Sequence, residues 1–206
     1  MEIDTGNILA MTSYPTFDLN DTRNQNALLG SMLVEQVDLE NGYYKYNKTD
    51  TVITEEVLST LTEEQILLNL NQLWKNFCIS DTYEPGSTAK PFTVAAALEN
   101  GTINKNITYE CNGLLEVGGH PIKCHSYAKG GDGVVTLQDS IAWSCNVAMM
   151  KIGQALGKEE FARFQNIFNF GLKTNVDLAG EARTVGLLFD ENMGDADLAT
   201  NTFGQN

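Results

Sequence analysis

Apolar residues recur at helical spacing along much of the chain. The clearest run is Ile66, Leu67, Leu70, Leu73, Trp74 and Phe77, behind Thr62-Glu63-Glu64-Gln65, which has the form of a capping box. It predicts a helix whose Trp and Phe stripe enters a core. Thr54-Glu55-Glu56 marks another helix start. Phe92-Thr93-Val94-Ala95-Ala96-Ala97-Leu98 is an apolar run stopped by Asn100-Gly101. Two more helices are expected either side of Ser144-Cys145-Asn146. The first opens near Thr136, with Asp139 at the box position. The second carries Val147, Ala148, Met149, Met150, Ile152 and Leu156 before Gly157. A short helix follows over 158–168, closed by Gly171. Ile8-Leu9-Ala10-Met11, after the turn Asp4-Thr5-Gly6-Asn7, reads as a buried strand.

Between these elements the pattern weakens. Residues 21–53 are polar and rich in Asn, Tyr and Asp, and read as a surface excursion with little core. Residues 101–133 are Gly-rich and read as a long irregular segment, a length that in a compact domain is usually functional or disordered. Residues 171–206 are turn-rich with an acidic end, and no repeat or linker splits the chain.

The 206 residues suffice for one sizeable domain, or a domain and a half. A net charge of −14 and a pI near 4.4 argue against nucleic acid or an anionic membrane surface as the main partner. No apolar run approaches the length of a membrane span. Of the four cysteines, Cys78 and Cys145 sit among apolar neighbours and read as core. Cys111 and Cys124 flank the Gly-rich segment, which also holds His120 and His125. These residue types can bind zinc, but their spacing matches no compact ligand pattern. A Cys111–Cys124 disulfide and two free buried thiols both remain open readings.

The candidate chemistry starts at Tyr83-Glu84-Pro85-Gly86-Ser87-Thr88-Ala89-Lys90-Pro91-Phe92. A Pro-Gly turn delivers Ser87 to the head of a helix, and Lys90 follows on the same face. The first turn carries unpaired N–H groups and a positive partial charge, which favour an alkoxide. Burial would push Lys90 toward its neutral form, able to accept the serine proton. Pro91 falls where a missing N–H is tolerated. Spacing alone decides little, because Ser126-Tyr127-Ala128-Lys129 has the same form; it runs into Gly130-Gly131 with no apolar helix behind it and reads as loop. Ser144-Cys145-Asn146 is the second site. At a break between helices its hydroxyl and amide can face a cleft, offering a proton carrier and a paired donor and acceptor for a peptide-like substrate. The alternative is a polar turn between helices.

Together and in this order, Ser87, Lys90, Ser144 and Asn146 follow the S-x-x-K and S-x-N pattern of penicillin-binding proteins and class A β-lactamases. The segment Tyr83 through Lys90 resembles the nucleophile box of class B penicillin-binding proteins, the D,D-transpeptidases that cross-link peptidoglycan. Thr5-Gly6-Asn7-Ile8-Leu9-Ala10-Met11 with Tyr14-Pro15-Thr16-Phe17-Asp18 resembles the opening strand of their transpeptidase domain. Leu73-Trp74-Lys75-Asn76 and Ser80-Asp81-Thr82 resemble the lead-in of Gram-positive division- or sporulation-type members. Phe170-Gly171-Leu172-Lys173-Thr174-Asn175, Asp177-Leu178-Ala179-Gly180-Glu181 and Phe203-Gly204-Gln205 are similar to the stretches after the second motif.

The resemblance implies an α+β fold of the β-lactamase/transpeptidase type: a mainly antiparallel sheet flanked by helices, with a helical side lobe. Residues 1–206 would then be a partial transpeptidase domain, holding the helical lobe and the first sheet strand and missing the later strands. An unpaired strand edge and exposed apolar surface are expected. By the same resemblance Ser87 attacks the penultimate D-Ala carbonyl of a stem peptide. Lys90 is the acylation base, Ser144 relays the proton, and Asn146 holds the substrate backbone. β-Lactams would acylate Ser87 and stay attached. The implied partners are stem peptides, β-lactams, a membrane glycosyltransferase and division or sporulation proteins. The implied place is the extracytoplasmic face of the bacterial membrane, through an anchor not among these residues, with no cofactor and no metal.

Two departures limit this. The family's third motif, Lys-Thr/Ser-Gly, is absent; Lys173-Thr174-Asn175 ends in Asn and sits in another context. That motif's strand supplies the second oxyanion-hole N–H and groups for the substrate carboxylate, so this chain is expected to be weakly active or inactive. The usual His-Gly before the second motif is Asp132-Gly133 here. Alternative readings are a β-lactam sensor, a serine β-lactamase-like domain, for which no water-activating Glu motif is visible, or an incomplete scaffold domain.

Overall fold

Thr54 and Thr62 start helices, as their sequence predicts. The computed structural model of the chain describes residues 1–38, 44–184 and 186–205, the side chain of Tyr44 apart. No linker is visible in the sequence, yet the chain divides into two compact units. One is Met1–Asp81 with Asp177–Ala182; the other is Thr82–Val176 with Arg183–Asn206.

In the first unit, strands β1 (Met32–Asp38) and β2 (Tyr44–Val52) pair antiparallel. Helices α1 (Glu55–Thr60), α2 (Glu63–Leu73) and α3 (Phe77–Ser80) follow. The Thr62 hydroxyl accepts from the Gln65 N–H while the Gln65 side chain accepts from the Thr62 N–H, closing the predicted capping box. Asn69 ties α2 to β1: its Oδ1 accepts from the Val34 N–H at 2.8 Å and its Nδ2 donates to the Val34 carbonyl at 3.1 Å.

Three expectations change in this unit. The stretch 21–53 is not a coreless excursion; Leu28, Leu33 and Ile53 join Leu58 and Leu70 in one core. Residues 39–43 of that stretch lie outside the described residues. Residues 8–11 form no strand; Leu9 is 73% exposed. A strand needs a neighbour to take its N–H and C=O groups, and no strand among the described residues pairs with this run, so Ile8 and Leu9 stay exposed while Met11 is half-buried beside Asn76. The helical stripe stops short: Leu67 is exposed, and Phe77 begins a separate turn and is 57% exposed. Cys78, on that same turn, is exposed and not core.

The second unit is built around α6 (Asn146–Leu156). Val147, Ala148, Met149, Met150 and Ile152 are all buried, while Lys151 and Gln154 keep one side of the helix toward solvent. Helix α4 (Lys90–Glu99) packs on it through Val94 and Ala97. Helices α5 (Leu137–Ala142) and α7 (Lys158–Ile167) flank it, and Thr136 and Asp139 close a second capping box at the head of α5. The Gly-rich segment is more regular than its composition suggests. Strand β3 (Thr108–Cys111) pairs antiparallel with β6 (Gly133–Thr136), and β4 (Leu114–Val117) with β5 (His120–Lys123). Gly118 and Gly119 both have positive φ, which a two-residue hairpin turn requires. Helix α8 (Asp195–Asn201), unforeseen in the turn-rich tail, buries Leu198 and Ala199. Helices and antiparallel strand pairs together make the expected α+β class. No helix among the described residues is long and apolar enough to cross a membrane.

Candidate active site

Ser87 sits in a 3-10 turn, Gly86–Ala89, that runs straight into α4. Lys90 is the first residue of that helix and is only 2% exposed, while Ser87 remains at the surface. The turn is pinned from behind: the Gly86 N–H donates to the Gly204 carbonyl at 2.8 Å. A Cβ on Gly204, whose φ is +78°, would lie 2.2 Å from the Gly86 oxygen. Only glycine allows that approach.

Ser144 and Asn146 reach the same point from the break between α5 and α6. The Ser144 N–H donates to the Ile141 carbonyl at 3.1 Å and the Cys145 N–H to the Ser140 carbonyl at 2.9 Å. These bonds fold the chain back and hold Ser144 at φ 56°, a left-handed conformation uncommon for a residue with a side chain. Both its carbonyl and its hydroxyl thereby face Lys90.

The Lys90 ammonium donates to the Ser144 carbonyl at 2.7 Å, to Ser144 Oγ at 2.7 Å and to Asn146 Oδ1 at 2.8 Å. Three donors meet three acceptors. Ser144 Oγ donates to Ser87 Oγ at 2.9 Å. The sequence places Ser87 and Lys90 on one face able to meet directly; here they meet through Ser144. Burial pushes the Lys90 amine below its ordinary range, and the nearby Cys124 and Cys145 sulfurs oppose this. A neutral Lys90 reverses the chain: Ser144 gives its proton to Nζ and takes one from Ser87. The Asn146 amide nitrogen reaches the Lys123 carbonyl only at 3.4 Å, a long bond that a substrate carbonyl could replace.

The structure thus brings together Ser87, Lys90, Ser144 and Asn146. The other S-x-x-K serine is elsewhere: Ser126 is buried and donates to Asp132 Oδ2 at 2.9 Å. Sequence reading missed what surrounds it. All four cysteines are free thiols, and Cys111, Cys124 and Cys145 converge with Asp132.

Compared with known proteins, residues 1–205 match the penicillin binding protein transpeptidase domain. The chain belongs to that family. Among curated relatives, Stage V sporulation protein D of Bacillus subtilis is 40% identical over 133 residues, which is 64% of this chain and 20% of that protein. Peptidoglycan D,D-transpeptidase FtsI of Escherichia coli is 32% identical over 135 residues, 63% of this chain and 21% of that protein. The chain therefore spans about a fifth of the length of these relatives. The TP domain of Burkholderia pseudomallei penicillin-binding protein 3 superposes with a TM-score of 0.57 at 30% identity, over 63% of this chain and 38% of that one.

Proposed function

We propose that this chain is part of a peptidoglycan D,D-transpeptidase and that Ser87 is its nucleophile. The observation that carries the reading is the hydrogen-bonded path Ser87 Oγ–Ser144 Oγ–Lys90 Nζ, with steps of 2.9 and 2.7 Å. Ser87 Oγ forms a bond to the penultimate D-Ala carbonyl carbon. Its proton passes to Ser144, whose own proton passes to neutral Lys90. The N–H of Ser87, in the first turn where intrahelical partners are lacking, donates to the developing oxyanion. Collapse breaks the peptide bond, and the leaving D-Ala amine takes the proton back along the same path. An amine from a second stem peptide then attacks the acyl carbonyl carbon; the ester bond breaks, and the amine's proton travels along the same path to Ser87 Oγ. Asn146 orients the substrate backbone. A β-lactam enters the first half of this sequence and stays attached.

The relatives' printed names support this reading: a sporulation protein and a peptidoglycan D,D-transpeptidase. It carries with it work at the extracytoplasmic face of the bacterial membrane, beside a glycosyltransferase and division or sporulation proteins, and a domain of which residues 1–206 are the first part. The 206 residues contain no Lys-Thr-Gly or Lys-Ser-Gly, so slow acylation is expected of this chain. The test is prolonged incubation with a fluorescent penicillin, read by gel and intact mass. Slow formation of one long-lived adduct, abolished in Ser87→Ala, is expected. An adduct that persists in Ser87→Ala overturns the assignment of the nucleophile. Rapid release of hydrolysed drug points instead to a β-lactamase.

A further inference from the structure

We propose that Cys111, Cys124, Cys145 and Asp132 form a tetrahedral site for a thiophilic divalent cation, zinc by chemistry, that braces the Ser144–Asn146 segment. One ligand atom from each of these residues lies within 4.8 Å of all the others. In a tetrahedron with metal–sulfur bonds of about 2.3 Å, ligands stand roughly 3.8 Å apart. The four groups therefore need close by only about 1 Å at their widest. Cys124 Sγ and Asp132 Oδ2 already stand 3.9 Å apart.

Three thiols could be no more than small apolar side chains in the core, since Cys111, Cys124 and Cys145 are all buried in it. Asp132 argues otherwise. It is half-buried with Oδ2 turned toward the sulfurs, and a charge so placed is costly unless something compensates it. The Ser126 hydroxyl donates to it at 2.9 Å and also lies 3.8 Å from Cys111 Sγ. A neighbour that orients two ligands at once is what metal sites are built with. One of the sulfurs already accepts a hydrogen bond from the backbone. The Ala148 N–H donates to Cys145 Sγ at 3.4 Å. Three thiolates with one carboxylate are too soft a set for magnesium or calcium and suit zinc.

The placement gives the site a purpose. Cys111 ends β3, Cys124 follows β5, and Asp132 precedes β6. Cys145 lies between Ser144 and Asn146 and caps α6. One ion would tie three parts of the Gly-rich segment to the backbone that aims Ser144 and Asn146 at Lys90. Cys145 is a positioning residue in this scheme and touches no substrate.

The reduced chain is loaded with Zn²⁺ or Co²⁺, desalted, and its metal counted. About one ion per chain is expected, together with a thiolate-to-Co²⁺ charge-transfer band. In mild urea, which opens buried thiols of the metal-free chain, Zn²⁺ should slow alkylation of Cys111, Cys124 and Cys145, while exposed Cys78 reacts with or without metal. Ser126→Ala should weaken retention about 10–100-fold, and Cys111→Ser should abolish the three-thiolate spectrum. The proposal is overturned if the reduced chain retains no metal, if Co²⁺ binds without a thiolate band, or if Cys111→Ser binds unchanged. A disulfide among these three cysteines in the zinc-loaded chain overturns it as well. Should the cysteine variant fail to fold, the spectrum and alkylation pattern of the unsubstituted chain decide.

Discussion

Ser144 adopts φ 56° where glycine would be at ease, and strain of this kind concentrates at functional sites. Two substitutions separate the backbone from the hydroxyl. Ser144→Ala keeps the strain and Ser144→Gly removes it; both remove the link between Ser87 and Lys90. Urea unfolding should find Ser144→Gly more stable than Ser144→Ala by about 1 kcal/mol. Both should lose about 10²–10⁴-fold in penicillin acylation, the usual worth of a proton carrier. Equal stabilities would show that the left-handed conformation carries no strain; an unchanged acylation rate would remove Ser144 from the path. The four residues concerned were legible in the sequence, because each motif is local: a turn, a helix start, a break. Cys78 was not legible, since apolar neighbours along the chain do not guarantee a cover in space. Neither was the meeting of Asp132 with three cysteines, because it needs β3, β6 and α6 to be folded together first.

The elements were legible where their punctuation is local. The boxes at Thr62 and Thr136 formed as predicted, whereas the β3–β6 pair joins segments more than twenty residues apart, which periodicity cannot link. The β4–β5 hairpin did carry a signal, Gly118-Gly119 after the apolar run Leu114-Leu115-Glu116-Val117, that the high glycine content of the segment concealed. The turn after α8 shows what such a contact is worth. Gly204→Ala would drive a Cβ to 2.2 Å from the Gly86 oxygen and 2.6 Å from its nitrogen, in a backbone conformation alanine resists. Neither backbone can move without shifting the 3-10 turn that carries Ser87. The expected cost is about 1–3 kcal/mol in denaturant unfolding, with slower penicillin acylation of whatever remains folded. Gly130→Ala is the control: φ is likewise positive at 84°, but nothing lies within 4 Å of the added carbon. If the two variants behave alike, the backbone approach at Gly204 is unimportant and only the dihedral matters.

At the scale of the whole molecule, charge is the dominant feature. Carboxylates outnumber basic side chains by 14, so most cannot have a cationic partner and must repel one another. Among the described residues, the ion pairs Lys75–Asp81, Lys158–Asp195 and Arg163–Glu160 have exposed or half-exposed side chains and contribute little against solvent screening. Two effects of salt therefore compete. Screening weakens these pairs, which destabilises, and weakens the long-range repulsion, which stabilises. Between about 20 mM and 500 mM NaCl the Debye length falls from roughly 20 Å to 4 Å. Across that range the many distant acid–acid terms should be lost while the few contacts persist in part. Repulsion should win, and each thermal midpoint should rise. A gain of about 1 kcal/mol corresponds to about 2–4 °C for a chain of this size. Sodium chloride is the salt to use, since sulfate stabilises folded chains by exclusion whatever their charge. A midpoint that falls with NaCl would mean that the short-range pairs outweigh the surplus of carboxylates.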